Sequence, residues 1–223
     1  MKKIRTIQTI ENEKIIAIVR TSTAEEAEKV VEAAHKGGIR IIEVTLTIPG
    51  ALAIISKLRK QYGSELMIGA GTVLDTTTAR MAIEHKVDFV VSPHLDKDVV
   101  TMCHLYQIPI IPGAVDSHQV VEALKLDCGI IKLFPSQLFG PNAVRALKSP
   151  FPQAEFIPTG GVNVETLTDW LDAGALAVGV GGEMTREAVK TGDFDKVRDY
   201  AQQLVSRLQE YKLGRGYKTS LGI

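Results

Sequence analysis

Cysteine is nearly absent from this chain, and its scarcity removes two architectures at once. Only Cys103 and Cys128 occur among 223 residues, both in apolar settings, so a disulfide framework or a cysteine metal cluster is excluded and two buried thiols are expected. The five histidines show no metal-ligand spacing. Net charge is missing too: 26 Lys and Arg balance 26 Asp and Glu, leaving no field to gather nucleic acid or to hold a membrane surface. Any anion must be held locally. No apolar run reaches about 18 residues, and the opening Met-Lys-Lys-Ile-Arg-Thr-Ile-Gln lacks an apolar core followed by a small-residue cleavage site. A soluble, cytoplasmic protein is expected. No low-complexity linker divides the chain.

What is present is alternation. Short β-branched runs at 15–20, 39–46, 66–70, 89–91, 108–111, 129–133, 155–157 and 176–180 are separated by stretches of helical periodicity at 23–35, 50–62, 76–85, 96–106, 117–125, 142–147 and 164–172. A last amphipathic segment spans 193–211. Eight βα units with nothing left over for a second domain predict a single α/β (β/α)8 TIM barrel over 1–212, with a doubly wound open sheet as the alternative. The segment before Ile15 is expected to form a helix closing the barrel floor, and 213–223, poor in periodic apolar residues, a C-terminal tail. Glycine stops at Gly37-Gly38 and Gly174 place a left-handed residue after two helices.

Lys132 interrupts the apolar run Gly129-Ile-Ile-Lys-Leu-Phe-Pro135, which otherwise reads as a buried strand. It can end its strand at the surface and snorkel into water. Alternatively it is buried, where desolvation disfavours the charged form of an amine and leaves a nucleophile able to attack a carbonyl. In such barrels the carboxyl ends of strands carry the chemistry, and here they are rich in polar groups: Arg20, then Glu43 with Thr45 and Thr47, then Gly69-Ala-Gly-Thr72, then Ser92-Pro-His94. Alternation puts Ile41, Glu43, Thr45 and Thr47 on one face and Ile42, Val44 and Leu46 on the other. Glu43 is either a carboxylate paired with Lys132 or a general acid/base beside it. Thr159, Gly160 and Gly161 follow the seventh strand, and Gly181 and Gly182 the eighth, where backbone N–H groups often hold phosphate, although glycines also simply make tight turns.

The stretches Glu43-Val-Thr-Leu46, Gly69-Ala-Gly-Thr-Val-Leu74, Val91-Ser-Pro-His-Leu95, Ile111-Pro-Gly113, Ile131-Lys-Leu-Phe-Pro135 and Pro158-Thr-Gly-Gly-Val162 together resemble the 2-keto-3-deoxy-6-phosphogluconate (KDPG) and 4-hydroxy-2-oxoglutarate (KHG) aldolases. The resemblance covers nearly the whole chain. It implies a class I aldolase on a (β/α)8 barrel, assembled as a homotrimer, needing no metal or cofactor and acting on a small 2-keto acid. Lys132 would form the Schiff base, Glu43 would move protons, and Thr72 would bind the pyruvate carboxylate. Pro93 and Phe134 would wall the pyruvyl pocket, and Gly160 and Gly161 would meet a phosphate.

Three positions depart from that pattern. Thr47 stands where many relatives carry Arg, and Arg20 at the end of the adjacent strand either restores a guanidinium for the carboxylate or is a surface residue. Gly182 followed by Glu183 replaces a phosphate-binding Ser, so Glu183 either faces solvent in a first helical turn or sets a carboxylate against the phosphate. Asp116 either meets the aldehyde portion of the substrate or caps the helix from Ser117. An aldolase for a related, non-phosphorylated 2-keto-3-deoxy acid, a phosphate-binding barrel isomerase and a binding protein for a phosphorylated sugar acid are the competing classes.

Overall fold

The computed structural model describes residues 2–220. Among these, nine strands are β1 (Ile15–Val19), β2 (Ile41–Thr45), β3 (Met67–Gly71), β4 (Val90–Val91), β5 (Ile110–Ile111), β6 (Gly113–Ala114), β7 (Ile130–Leu133), β8 (Glu155–Pro158) and β9 (Val178–Val180). The helices are α1 (Lys2–Glu13), α2 (Ala24–Lys36), α3 (Ala51–Tyr62), α4 (Thr76–Glu84), α5 (Lys97–Leu105), α6 (Ser117–Lys125), α7 (Asn142–Lys148), α8 (Leu167–Asp172), α9 (Gly182–Thr191) and α10 (Asp195–Ser220). All strand pairs are parallel, six strands running in the order β5-β4-β3-β2-β1-β9 and three in the order β6-β7-β8. The fold is α/β with a curled parallel sheet.

The fifth of the eight expected strands is divided. Pro112 has no N–H to give a ladder and separates β5 from β6, but its carbonyl accepts the Lys132 N–H at 2.8 Å. At the opposite margin Thr159 bridges Gly179, and the Leu176 N–H donates to the Phe156 carbonyl at 2.9 Å.

Period-two alternation sorts the apolar residues into two layers. Ile16, Ile41, Phe89, Val91, Ile111, Ile157 and Ala177 form an inner cluster together with Ile10 of α1, so the amino-terminal helix plugs the inner layer as expected of a floor helix. The next residues along the same strands, Ala17, Ile42, Val90, Ile110, Phe156 and Val178, belong to the outer cluster with the helices.

Local chemistry sets the helix ends. Thr23 accepts the Glu26 N–H at 3.2 Å and the Glu26 carboxylate accepts the Thr23 N–H at 3.2 Å, a reciprocal capping box opening α2. After α2 and α8 the left-handed residues are Gly38 and Gly174, at φ 98° and 97°. Two stretches add to the periodic pattern. The glycines at 181–182 open α9, which has Glu183 in its first turn as one reading had it, and whose few buried residues, Met184, Thr185 and Ala188, make too short a stripe to stand out by period. Helix α10 continues through 213–220, the part of the expected tail that is described, whereas 221–223 lie outside the described residues. No helix among the described residues is long and apolar enough to cross a membrane.

Cys103 and Cys128 are free and buried, and burial pushes both thiols up to about 12, with the Asp127 carboxylate adding to the effect at Cys128. Neither ionises near neutral pH. Titration with a thiol-exchange reagent at pH 8 is expected to detect no reactive cysteine in the folded protein and two after denaturation.

Candidate active site

The alternation that sends Ile41 inward sends Glu43 inward two residues later, and Lys132 follows Ile130 in the same way. Both are buried, at 2% and 6% exposure. Lys132 Nζ lies 3.6 Å from Glu43 Oε1, and Glu43 Oε1 accepts no hydrogen bond from the described residues. The Phe134 ring stands 5.3 Å from the same Nζ. Ile16, Val91, Ile111 and Ile157 surround the pair with apolar surface. Of the two readings of Glu43, the geometry bears directly on the first: its carboxylate is paired with the Lys132 amine.

Room for Glu43 comes from the bare inner face of β3. Gly69 and Gly71 are the register partners of Glu43 and Thr45. A Cβ on Gly71 would lie 1.9 Å from Glu43 Oε1, and one on Gly69 would lie 2.3 Å from the Phe89 ring. Only hydrogen at these positions lets both neighbouring side chains reach inward. Thr72, the next residue, is held at φ 62°, a strained conformation for a β-branched side chain that costs about 1–3 kcal/mol. Its backbone neighbour Val73 is fixed by an N–H bond to the Val91 carbonyl at 3.2 Å.

A cleft continues outward from the pair, sharing Thr159 and Gly179 with the space around it. Arg20, Phe134, Thr159, Gly160, Gly161, Gly181 and Gly182 all line it. Arg20 Nη2 donates to Thr72 Oγ1 at 3.4 Å, which brings the expected compensating guanidinium to the expected carboxylate-binding hydroxyl. Pro93 leans over β6, where a Cβ on Gly113, the register partner of Lys132, would meet the Pro93 carbonyl oxygen at 2.2 Å.

Other candidates take different places. Thr47 is exposed and outside the cleft lining, its hydroxyl 3.0 Å from that of Thr45, which donates to the Val19 carbonyl at 3.0 Å. Asp116 caps α6, accepting the Gln119 N–H at 2.8 Å. Glu183 lines the cleft in the first turn of α9 and pairs with Arg186 at 3.6 Å.

Sequence reasoning missed Ser136, Gln137 and Arg186. Ser136 is fully buried and donates to the Gly160 carbonyl at 2.6 Å, tying the turn after β7 to the glycine loop after β8. Gln137 packs on that loop, where a Cβ on Gly160 would lie 1.9 Å from its Oε1. Gly160 and Gly161 sit at φ 100° and 74°, so the loop needs glycine for its backbone as well as for this contact. The adjacency of Ser136 and Gln137 to Phe134-Pro135 was the available signal. Arg186 had none without α9. No group of three or more His, Cys, Asp or Glu able to hold a metal gathers among the described residues.

A lysine and a carboxylate buried together under a cleft that carries Arg20 and two glycine loops, on the inner face of parallel strands, make this an enzyme of the parallel α/β class. The profile of the family described as KDPG and KHG aldolase matches residues 6–200, and the chain belongs to that family. It is 32% identical over 198 residues to the 2-dehydro-3-deoxy-phosphogluconate aldolase of Treponema pallidum, covering 88% of this chain and 94% of the relative. It is 30% identical over 199 residues to the 2-dehydro-3-deoxy-6-phosphogalactonate aldolase of Escherichia coli K12, covering 89% and 94%. Among solved structures, the Legionella pneumophila KDPG aldolase with pyruvate captured as a covalent carbinolamine superposes with a TM-score of 0.80 at 25% identity, covering 89% of this chain and 97% of that one.

The packing of β3 against Glu43 yields a direct test. Gly71→Ala must displace the Glu43 carboxylate, and its turnover is expected to fall by about a hundredfold or more, while circular dichroism stays that of the unsubstituted protein. Turnover within a factor of two would show that Glu43 needs no such fit.

Proposed function

We propose that the chain is a Schiff-base aldolase that cleaves 2-dehydro-3-deoxy-6-phosphogluconate to pyruvate and glyceraldehyde 3-phosphate, and 4-hydroxy-2-oxoglutarate to pyruvate and glyoxylate at the same lysine. The observation that carries this reading is the buried Lys132–Glu43 pair at 3.6 Å, beneath the cleft lined by Arg20 and the two glycine loops. Once a Lys132 proton has passed to Glu43, the amine adds to the C2 carbonyl, and the carbonyl oxygen, protonated in turn, leaves as water to give an iminium. The electrons of the C3–C4 bond then move toward the iminium nitrogen, the C4 hydroxyl gives up its proton, and an aldehyde departs. The resulting enamine takes a proton at C3, and hydrolysis releases pyruvate and restores the amine. Glu43 carries the protons of these steps. Arg20 and Thr72 hold the substrate carboxylate, Phe134 and Pro93 wall the pyruvyl carbons, and Thr159, Gly160, Gly161, Gly181 and Gly182 frame the phosphorylated end.

The same proposal includes the closed eight-stranded barrel. Counting β5 and β6 as one strand interrupted at Pro112, the Lys132 N–H bond to the Pro112 carbonyl and the Thr159–Gly179 bridge support closure at both margins. It also includes the homotrimer and the cytoplasmic location that the family resemblance and the sequence suggest. The exposed Leu138 and Phe139, in the turn that carries Gln137, supply apolar surface for an assembly.

Incubation with pyruvate and borohydride is expected to leave a reduced pyruvyl adduct on the peptide containing Lys132. Lys132→Ala should form none and lose at least about a thousandfold in turnover. An adduct on another lysine, or none at saturating pyruvate, overturns the assignment. Arg20→Ala is expected to raise the pyruvate KM in the condensation direction by about tenfold or more. An unchanged KM would remove Arg20 from the carboxylate site.

A further inference from the structure

The cleft has a cation that the aldol chemistry above does not use. Arg186 lies one helical turn beyond Gly182 on α9, and its Nη2 stands 3.6 Å from where a Cβ on Gly182 would be. Its side chain, 76% exposed, lines the cleft together with Gly160, Gly161 and Gly181. Arg20 lines the same cleft and bonds Thr72. Two guanidinium side chains thus line one cleft, which shares Thr159 and Gly179 with the space around Lys132 and Glu43.

Charge beside Arg186 decides what its guanidinium does. Glu183 also lines the cleft there, and without Arg186 a phosphate monoester would meet backbone N–H groups beside a bare carboxylate, an arrangement that repels a dianion. Arg186 reverses the sign of that interaction, and its planar fork of donors matches phosphate oxygens. Its ion pair with Glu183, 3.6 Å long and solvent-exposed, is weak enough to yield to a dianion.

We propose that Arg186 is the specificity-determining cation for the phosphomonoester end of the substrate, and that Glu183 tempers it by competing for the guanidinium. The inference rests on Lys132 acting as the Schiff-base lysine beneath the same cleft. Arg186 is a binding residue in this scheme and takes no part in bond making.

The test compares KM for 2-keto-3-deoxy-6-phosphogluconate with KM for its unphosphorylated counterpart. Arg186→Ala is expected to raise the first by about tenfold or more and leave the second unchanged, with borohydride trapping of pyruvate on Lys132 intact. Glu183→Gln is expected to lower KM for the phosphorylated acid, so the two substitutions move it in opposite directions. If Arg186→Ala changes neither KM, or changes both by the same factor, Arg186 does not read the phosphate and the inference fails. A rise in KM with Glu183→Gln overturns the tempering role. Absence of the pyruvate adduct in the unsubstituted enzyme would instead overturn the underlying aldolase reading, which the Arg186 outcomes leave untouched.

Discussion

Lys132 and Glu43 occupy inward positions on strands whose other inward residues are Ile16, Ile41, Val91, Ile111 and Ile157. Charges are costly in such surroundings, and each of these two is tolerated because the other is there. Deleting one partner of a buried pair leaves an uncompensated charge and typically costs about 3–5 kcal/mol. Their separation adds a second property. At 3.6 Å, with Glu43 Oε1 accepting no hydrogen bond from the described residues, the pair is close enough to offset burial and leaves that oxygen open to a further donor. Holding the two side chains at that distance is a demand the backbone must meet.

Much of the surrounding backbone answers to that demand. Gly69 and Gly71 leave the inner face of β3 empty so that Phe89 and Glu43 can fill it. The turn that follows carries Thr72 in a left-handed conformation, and that residue is the one Arg20 reaches. A strained residue is kept where it presents a hydroxyl to a cation, while the ladder bonds on either side absorb the cost. Gly113 repeats the device beside Lys132, allowing the Pro93 carbonyl to approach β6.

These particulars explain what could be read before the structure and what could not. Lys132 was legible because a charge inside an apolar strand violates its surroundings, and Glu43 because alternation fixes its face once Ile41 is known to be internal. The place of Arg20 in the cleft lining, next to Thr72, was legible from its position at the end of the first strand. The alternation of parallel strands and helices was legible from period, and a helical turn at Glu183 was one of the two readings of that residue. The break at Pro112 and the extent of α9 were not: the first depends on which neighbour each backbone group finds, and the second on three buried residues following two glycines. Ser136, Gln137 and Arg186 share that limitation, because each acts through contacts with a distant loop or end of the cleft that local pattern does not encode.

The hydrogen bond from Ser136 to the Gly160 carbonyl has a metric consequence. Lys132 lies on β7 and the Gly160–Gly161 loop follows β8, and these two strands pair directly in register. Lys132 and this glycine loop are therefore mounted on one hydrogen-bonded piece, clamped at its outer edge by Ser136. Such a piece works as a ruler. The span between the backbone that carries Lys132 and the glycine loop is set by the ladder, and only the reach of the lysine side chain adds to it. Side chains lining the cleft can therefore be exchanged without altering that scale.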